Sequence, residues 1–227
     1  MISRLLGESI SKKLGDNKAI LLFGARQLGK TTLLKNLLGN RSDTMWLNAD
    51  EPDVIALFEN ITSTRIKKVL SGYRYLVIDE AQRIRDIGLK LKLITDQVTE
   101  VQVIATGSSS FELANKINEP LTGRKWDFQI YPVSFEEMVT HHGLIEEKRL
   151  LPIRLIYGYY PEIITHPGEE KDRLKALTDS FLYKDILLWE NIQKPDKLLR
   201  LMQALAFQVG QQVSYNELAT LVGLDHK

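Results

Sequence analysis

Residues Gly24-Ala25-Arg26-Gln27-Leu28-Gly29-Lys30-Thr31 fit the pattern G-x-x-x-x-G-K-[ST] at each required position, and no other stretch restricts the fold so tightly. The pattern becomes a physical site only between a strand and a helix. Ala19-Ile20-Leu21-Leu22-Phe23 is an unbroken apolar run of strand length. The stretch from Thr32 to Leu38 has helical apolar spacing and closes at Gly39, a C-terminal cap. In that setting the glycines let main-chain N–H groups converge on phosphate oxygens at the partly positive end of a helix. The candidate nucleotide-binding residues are therefore Gly24, Arg26, Gln27, Leu28, Gly29, Lys30, Thr31 and Thr32. Lys30 is placed to meet the β- and γ-phosphates and the Thr31 hydroxyl to take a Mg²⁺ position. The first expectation is binding of a nucleoside triphosphate.

A second signal follows downstream. Tyr75-Leu76-Val77-Ile78 reads as a buried parallel strand and ends in Asp79-Glu80. Two adjacent carboxylates would be costly inside a core, but the carboxyl edge of an open parallel sheet is where ligands sit. Asp79 is expected to support Mg²⁺, mostly through water, and Glu80 to orient the attacking water. Gln82 is a weaker candidate for the γ-phosphate or that water. Val101 to Ala105 is another core strand, ending in Thr106-Gly107-Ser108-Ser109-Ser110. Thr106 is expected to sense the γ-phosphate or the water. The three serines read equally well as sensors or as caps of the helix starting at Phe111. Arg124, just before the alternating segment Lys125 to Tyr131, could project towards a γ-phosphate of its own chain or a neighbour's, or be a solvated loop residue. The candidate catalytic set is Glu80, Lys30, Thr106 and Arg124; the candidate metal set is Thr31 and Asp79.

Composition narrows the alternatives. The 227 residues contain no cysteine, which removes disulfides and thiolate metal sites. The formal charge is +1 with 30 basic and 29 acidic residues, so charge gives no warrant for nucleic-acid binding. The four histidines are scattered, and His141-His142 read as surface residues. No apolar run approaches the ~20 residues that span a bilayer, and charge and glycine interrupt the N-terminal segment early. The expectation is a cytoplasmic chain with no membrane contact.

The rest of the chain is organised around these signals. Apolar residues in 2–14 predict a helix before the first strand, and Thr44 to Asn48 a short strand. Residues 53–70 predict helices broken near Thr62-Ser63, with Asp50 as a cap and Pro52 in the first turn. Residues 84–98 predict an amphipathic helix. Ser134 with Glu137 three residues later is a capping box. Strand–helix alternation stops near 145, which suggests a nucleotide-binding domain over 1–145 and a helical domain over 146–227. Leu198 to Val209 and Ser214 to Val222, then a turn and Asp225, have the grammar of a helix-turn-helix or of a small packing bundle. The sequence stops at Lys227, before a third helix forms.

These motifs together resemble a family of prokaryotic AAA-type ATPases. The matching residues are Gly24 to Thr32, Ile78-Asp79-Glu80-Ala81-Gln82, Thr106-Gly107-Ser108-Ser109, Leu121-Thr122-Gly123-Arg124, Pro132 to Glu137, and Tyr157-Gly158-Tyr159-Tyr160-Pro161-Glu162. Tyr183-Lys184-Asp185-Ile186 resembles the helix that precedes the family's winged-helix-like segment. Ala25 stands where the family usually has proline, and Gly158-Tyr159 replaces a Gly-Gly pair. The resemblance implies an α/β P-loop NTPase fold of the AAA/ASCE type, with parallel strand order 5-1-4-3-2 between helices and a smaller helical, winged-helix-like domain after it. It implies ATP or ADP with Mg²⁺, and in relatives a further nuclease-like domain. Two functions compete at this level. One is Mg²⁺-dependent ATP hydrolysis coupled to movement of the helical domain. The other is a nucleotide-gated switch, binding DNA or protein through that domain, with very slow hydrolysis. A homo-oligomer is compatible with both.

Overall fold

A computed structural model describes residues 2–39, 41–108, 121–181 and 195–223. Ser109, Ser110, the segment from Phe111, the stretch Tyr183 to Ile186 and Asp225 lie outside the described residues.

The apolar runs, the short segment from Thr44 and the alternating segment from Lys125 become five parallel strands: β1 (Ala19–Phe23), β2 (Thr44–Asn48), β3 (Tyr75–Asp79), β4 (Gln102–Gly107) and β5 (Lys125–Gln129). Their order across the sheet is β2-β3-β4-β1-β5, the expected 5-1-4-3-2 read from the other edge. The registers Leu22↔Thr106 and Ile78↔Ala105 bring the C-terminal tips of β1, β4 and β3 together on one edge.

Alternation along each strand divides the core in two. Leu21, Leu76, Ile78, Val103 and Ala105 face one layer, which α3 (Pro52–Glu59), α4 (Ser63–Val69) and α5 (Ile87–Gln97) cover with Phe58, Ile66, Ile87, Leu91 and Ile94. Ile20, Leu22, Val77 and Ile104 face the other, covered by α1 (Leu6–Ser11) and α2 (Lys30–Leu38) through Ile10, Leu33, Leu34 and Leu38. Both faces are buried, which is why these strands read as continuous apolar runs.

Most local signals act as their chemistry suggests. The Thr62 side chain accepts the Arg65 N–H and starts α4. Both halves of the capping box at Ser134 and Glu137 are formed, opening the helix Phe135–His142. Asp50 is a correction: the residue before α3 is Glu51, without a side-chain cap bond, and the Asp50 carboxylate instead accepts from Arg83 at 3.2 Å.

A second correction concerns His142. Its Nε2 lies 2.8 Å from the carboxylate of Glu147, a residue with 0 % exposure on the helix Leu144–Tyr157. Tyr159 donates to the same carboxylate at 2.6 Å, and Arg154 stands 3.6 Å away. The Tyr159 carbonyl accepts the Val133 N–H at 3.0 Å, so Tyr159 ties the Tyr157–Glu162 loop to the buried acid through its hydroxyl and to the chain leaving β5 through its main chain. Burial, then the hydrogen bond to Glu147, pushes the Tyr159 hydroxyl up to about 12. A proton held more tightly in the folded state stabilises it fully below the unfolded value of 10.0, and that stability is lost as pH rises through about 12. Tyr159→Phe is therefore expected to cost about 1–3 kcal/mol, because Glu147 stays buried with one donor fewer. It should also flatten the fall in unfolding free energy over that alkaline window. Chemical denaturation of both proteins across the pH range checks both expectations.

The chain forms two compact units, residues 1–170 and 171–227. The first extends past the point near 145 where strand–helix alternation stops, because Tyr159 and Ile164 pack back onto Val133 and Met138. In the second, the helices Pro195–Phe207 and Tyr215–Val222 pack on each other, and Ser214 caps the latter by accepting the Glu217 N–H. No helix among the described residues is long and apolar enough to cross a membrane.

Candidate functional site

The phosphate-loop motif occupies the turn between β1 and α2, at the sheet edge where β1, β3 and β4 end. Gly24 is required there by space. A Cβ at this position would lie 2.3 Å from Ile130 Cγ2 and 2.7 Å from the Ile130 carbonyl oxygen. That carbonyl cannot retreat freely, since the Ile130 N–H extends the β1–β5 ladder by donating to Phe23. Gly24→Ala is expected to cost about 1–3 kcal/mol through overpacking and to displace the loop. Thermal unfolding together with nucleotide titration checks this. Gly29 is required by conformation: it caps α2 at φ 85°, ψ 29°, in the left-handed region. No side chain caps this nine-residue helix, which leaves its first-turn N–H groups for an anion.

Lys30 is 5 % exposed, and its ammonium donates to the Gly24 carbonyl at 2.8 Å and the Ala25 carbonyl at 3.0 Å. The cation is thus folded back into the curl of the loop. Leu28 anchors the loop by burying its side chain in the core layer beneath α2, and Tyr160 packs against the same cluster. Gln27 and Thr32 are exposed and Arg26 is half-buried.

Thr31 ties the loop to the acid pair. Its hydroxyl donates to Asp79 Oδ2 at 2.7 Å, and the other oxygen of Asp79 accepts from Thr106. Thr106 Oγ1 in turn accepts the Glu80 N–H at 3.2 Å. A continuous chain of hydrogen bonds therefore runs from the phosphate-loop helix through Asp79 and Thr106 to the Glu80 main chain, across the tips of β3 and β4. Glu80 adopts a left-handed backbone at φ 53°, uncommon for a residue with a side chain and typical of positions where function dictates geometry. The Gln82 amide donates to the Glu80 carboxylate, while Gln82 Oε1 is buried with no hydrogen-bond partner.

Two sequence expectations change here. Thr106 has 0 % exposure, and its hydroxyl is committed to Asp79 and the Glu80 N–H, so it lies beneath the acids rather than presenting itself as a sensor. Arg124 lies at the opposite edge of the sheet: its carbonyl accepts the N–H of Ala19, the first residue of β1, and its guanidinium pairs with Asp96 at 2.8 Å. The length of a five-residue strand, roughly 16 Å, separates it from the phosphate loop, beyond the reach of an arginine side chain. It takes no part in the site of its own chain. Of the hydroxyls after β4, Ser108 is half-buried.

The oxygen donors at the site suit a hard divalent cation. Thr31 and Asp79 present one hydroxyl and one carboxylate side by side, the kind of partial set to which Mg²⁺ adds waters and substrate phosphates. Among the described residues no cluster of three or more His, Cys, Asp or Glu forms a closed protein cage for a metal.

Sequence motifs missed Arg4, whose side chain reaches the Leu28 carbonyl at 2.9 Å and the Glu137 carboxylate at 3.2 Å. Nothing local marks it, because its partners lie 24 and 133 residues away.

Comparison with known proteins agrees with this geometry. A family model described as an AAA domain matches residues 16–139, and one described as a domain of unknown function matches residues 148–227. Two uncharacterized proteins of Methanocaldococcus jannaschii, MJ1544 and MJ1637, are 24 % and 26 % identical over 97 % and 95 % of the chain. These alignments cover 53 % and 54 % of the relatives, so the chain spans about half the length of the curated relatives it matches. Among solved structures, the Walker-type ATPase PABY2304 of Pyrococcus abyssi superposes with a TM-score of 0.59 at 15 % identity, over 98 % of this chain and 88 % of that one. The fold is that of a P-loop ATPase.

Proposed function

Because the chain belongs to the AAA-domain family, with nucleotide-binding, ATPase-like chemistry, we propose that it hydrolyses ATP with Mg²⁺ at the Lys30–Asp79–Glu80 site. The observation that supports this most directly is the hydrogen-bond chain from Thr31 through Asp79 and Thr106 to Glu80, which ties the Asp79 carboxylate to the phosphate-loop helix and the Glu80 main chain to Thr106. The loop N–H groups and the first turn of α2 bind the phosphates. Lys30 exchanges the Gly24 and Ala25 carbonyls for β- and γ-phosphate oxygens. Thr31 and Asp79 would hold Mg²⁺, which supplies charge neutralisation on the phosphates. Glu80 orients the attacking water and accepts its proton, while Thr106 keeps Asp79 and the Glu80 main chain in place. ATP turnover in Mg²⁺ and in excess chelator tests the reading: loss of turnover in chelator supports it, and equal rates in both reject it.

The process to which hydrolysis is coupled belongs to the same proposal. Nucleotide state shifts the C-terminal helices, and those helices contact DNA or a protein. Turnover with and without DNA, alongside mass measurement in each nucleotide state, separates a DNA-stimulated motor from an assembling switch. The bond from Gln82 to Glu80 favours a second reading, in which the base is engaged elsewhere and hydrolysis serves only as a slow reset. A rate below about one per hour with retained ADP selects that reading.

A further inference from the structure

Behind the phosphate loop four segments meet at one ion pair. Arg4 Nη1 donates to the Leu28 carbonyl at 2.9 Å, and Nη2 donates to the carbonyls of Tyr131 and, at 3.5 Å, Pro132. Its Nε lies 3.2 Å from both carboxylate oxygens of Glu137. The two side chains are only 11 % and 7 % exposed. Glu137 also accepts the N–H groups of Leu5 and Ser134, each at 2.8 Å. The N-terminal segment, the phosphate loop, the chain leaving β5 and the start of the helix Phe135–His142 are thereby joined through one guanidinium and one carboxylate.

Net stability is a poor reason for such a pair, since apolar replacements of buried ion pairs are often as stable. Geometry is a better one: a guanidinium is a rigid planar fork, and here it grips three carbonyls and a carboxylate at once. A peptide unit is planar and trans, so its C=O and N–H point in opposite directions. Holding the Leu28 carbonyl towards Arg4 therefore turns the Gly29 N–H the other way. Gly29, left-handed at φ 85°, is the residue where the loop turns into α2.

We propose that Arg4, held by Glu137, is a positioning residue that fixes the Leu28–Gly29 peptide plane and so aims the Gly29 N–H at the nucleotide phosphates. This rests on the nucleotide-binding reading of the site. The test uses the full chain as wild type, Arg4→Lys, Arg4→Met and Glu137→Gln. Steady-state ATP turnover with Mg²⁺ gives KM and kcat, and amide hydrogen exchange over residues 25–30 is followed without nucleotide. Lysine keeps the charge but not the fork, so Arg4→Lys is expected to raise KM about tenfold and leave kcat within about twofold. Exchange over 25–30 should quicken while that of β1 and β4 does not change. Glu137→Gln should shift both readouts the same way by less, and Arg4→Met by more. An unchanged KM in Arg4→Lys, a fall in kcat alone, or unaltered loop exchange overturns the proposal. If Arg4→Met does not fold, Arg4→Lys and Glu137→Gln still decide. A wild type that does not bind ATP rejects the nucleotide reading, while the exchange measurement still tests the brace by itself.

Discussion

Lys30→Ala is expected to weaken ATP binding by at least about a hundredfold, with turnover lost at any accessible concentration. The reason lies in how the ammonium is held. It is almost fully buried and bound to the Gly24 and Ala25 carbonyls, so its desolvation is complete before nucleotide arrives. Triphosphate oxygens then replace two neutral acceptors with charged ones, in surroundings where such bonds are strong. Alanine removes that gain and leaves two loop carbonyls without their donor. Equilibrium titration with a fluorescent ATP analogue measures the effect, and thermal unfolding without nucleotide separates it from loss of fold. Near wild-type affinity in a folded Lys30→Ala protein would overturn the role given to the loop.

The second large effect is expected at Glu80 and should be opposite in kind. Glu80→Gln is isosteric and removes the negative charge and with it the capacity to take a proton. It should retain ATP affinity within about threefold while lowering kcat about 10²- to 10⁴-fold, the range of general-base catalysis. The left-handed backbone at Glu80 and the bond its N–H donates to Thr106 Oγ1 do not depend on side-chain charge, so the acid edge should persist. Single-turnover hydrolysis with excess protein isolates the chemical step from product release. Parallel loss of binding in both variants would show that Glu80 holds nucleotide rather than acting on water. Retained turnover in Glu80→Gln would show that hydrolysis does not need Glu80 as base, with Gln82 and its unpartnered Oε1 the neighbouring group to examine for orienting the water.

Much of this was open to reading from the chain alone, for reasons that are local. The sequence Gly24 to Thr31 can be recognised because a phosphate loop is built from main-chain conformation, and conformation depends on neighbours. Tyr75 to Ile78 reads as a central strand because burial on both faces forbids polar residues. Ser134 and Ser214 announce helix starts because a cap reaches no further than three residues. The strand order comes instead from resemblance, since the pattern of a strand says whether both its faces are buried but not beside which other strand it lies.

What escaped depends on groups brought together from far apart. Arg124 precedes a strand, and the sequence alone does not choose between an arginine facing a phosphate and a solvated loop residue. Only the parallel register placing Lys125 beside Ala19 shows it at the edge opposite the loop. His142 resembled a surface residue because the buried Glu147 that receives it sits on a helix whose charge pattern suggests solvent. The sequence by itself determined that a strand, a glycine turn and a helix would make an anion site followed by an acidic strand tip, because each is set by contacts within a few residues. The tertiary structure alone decided that Thr106 serves Asp79 and that Arg4 braces the loop from 24 residues away. Such partners are chosen by packing and by the need to satisfy buried charge, and neither leaves a mark on neighbouring positions in the chain.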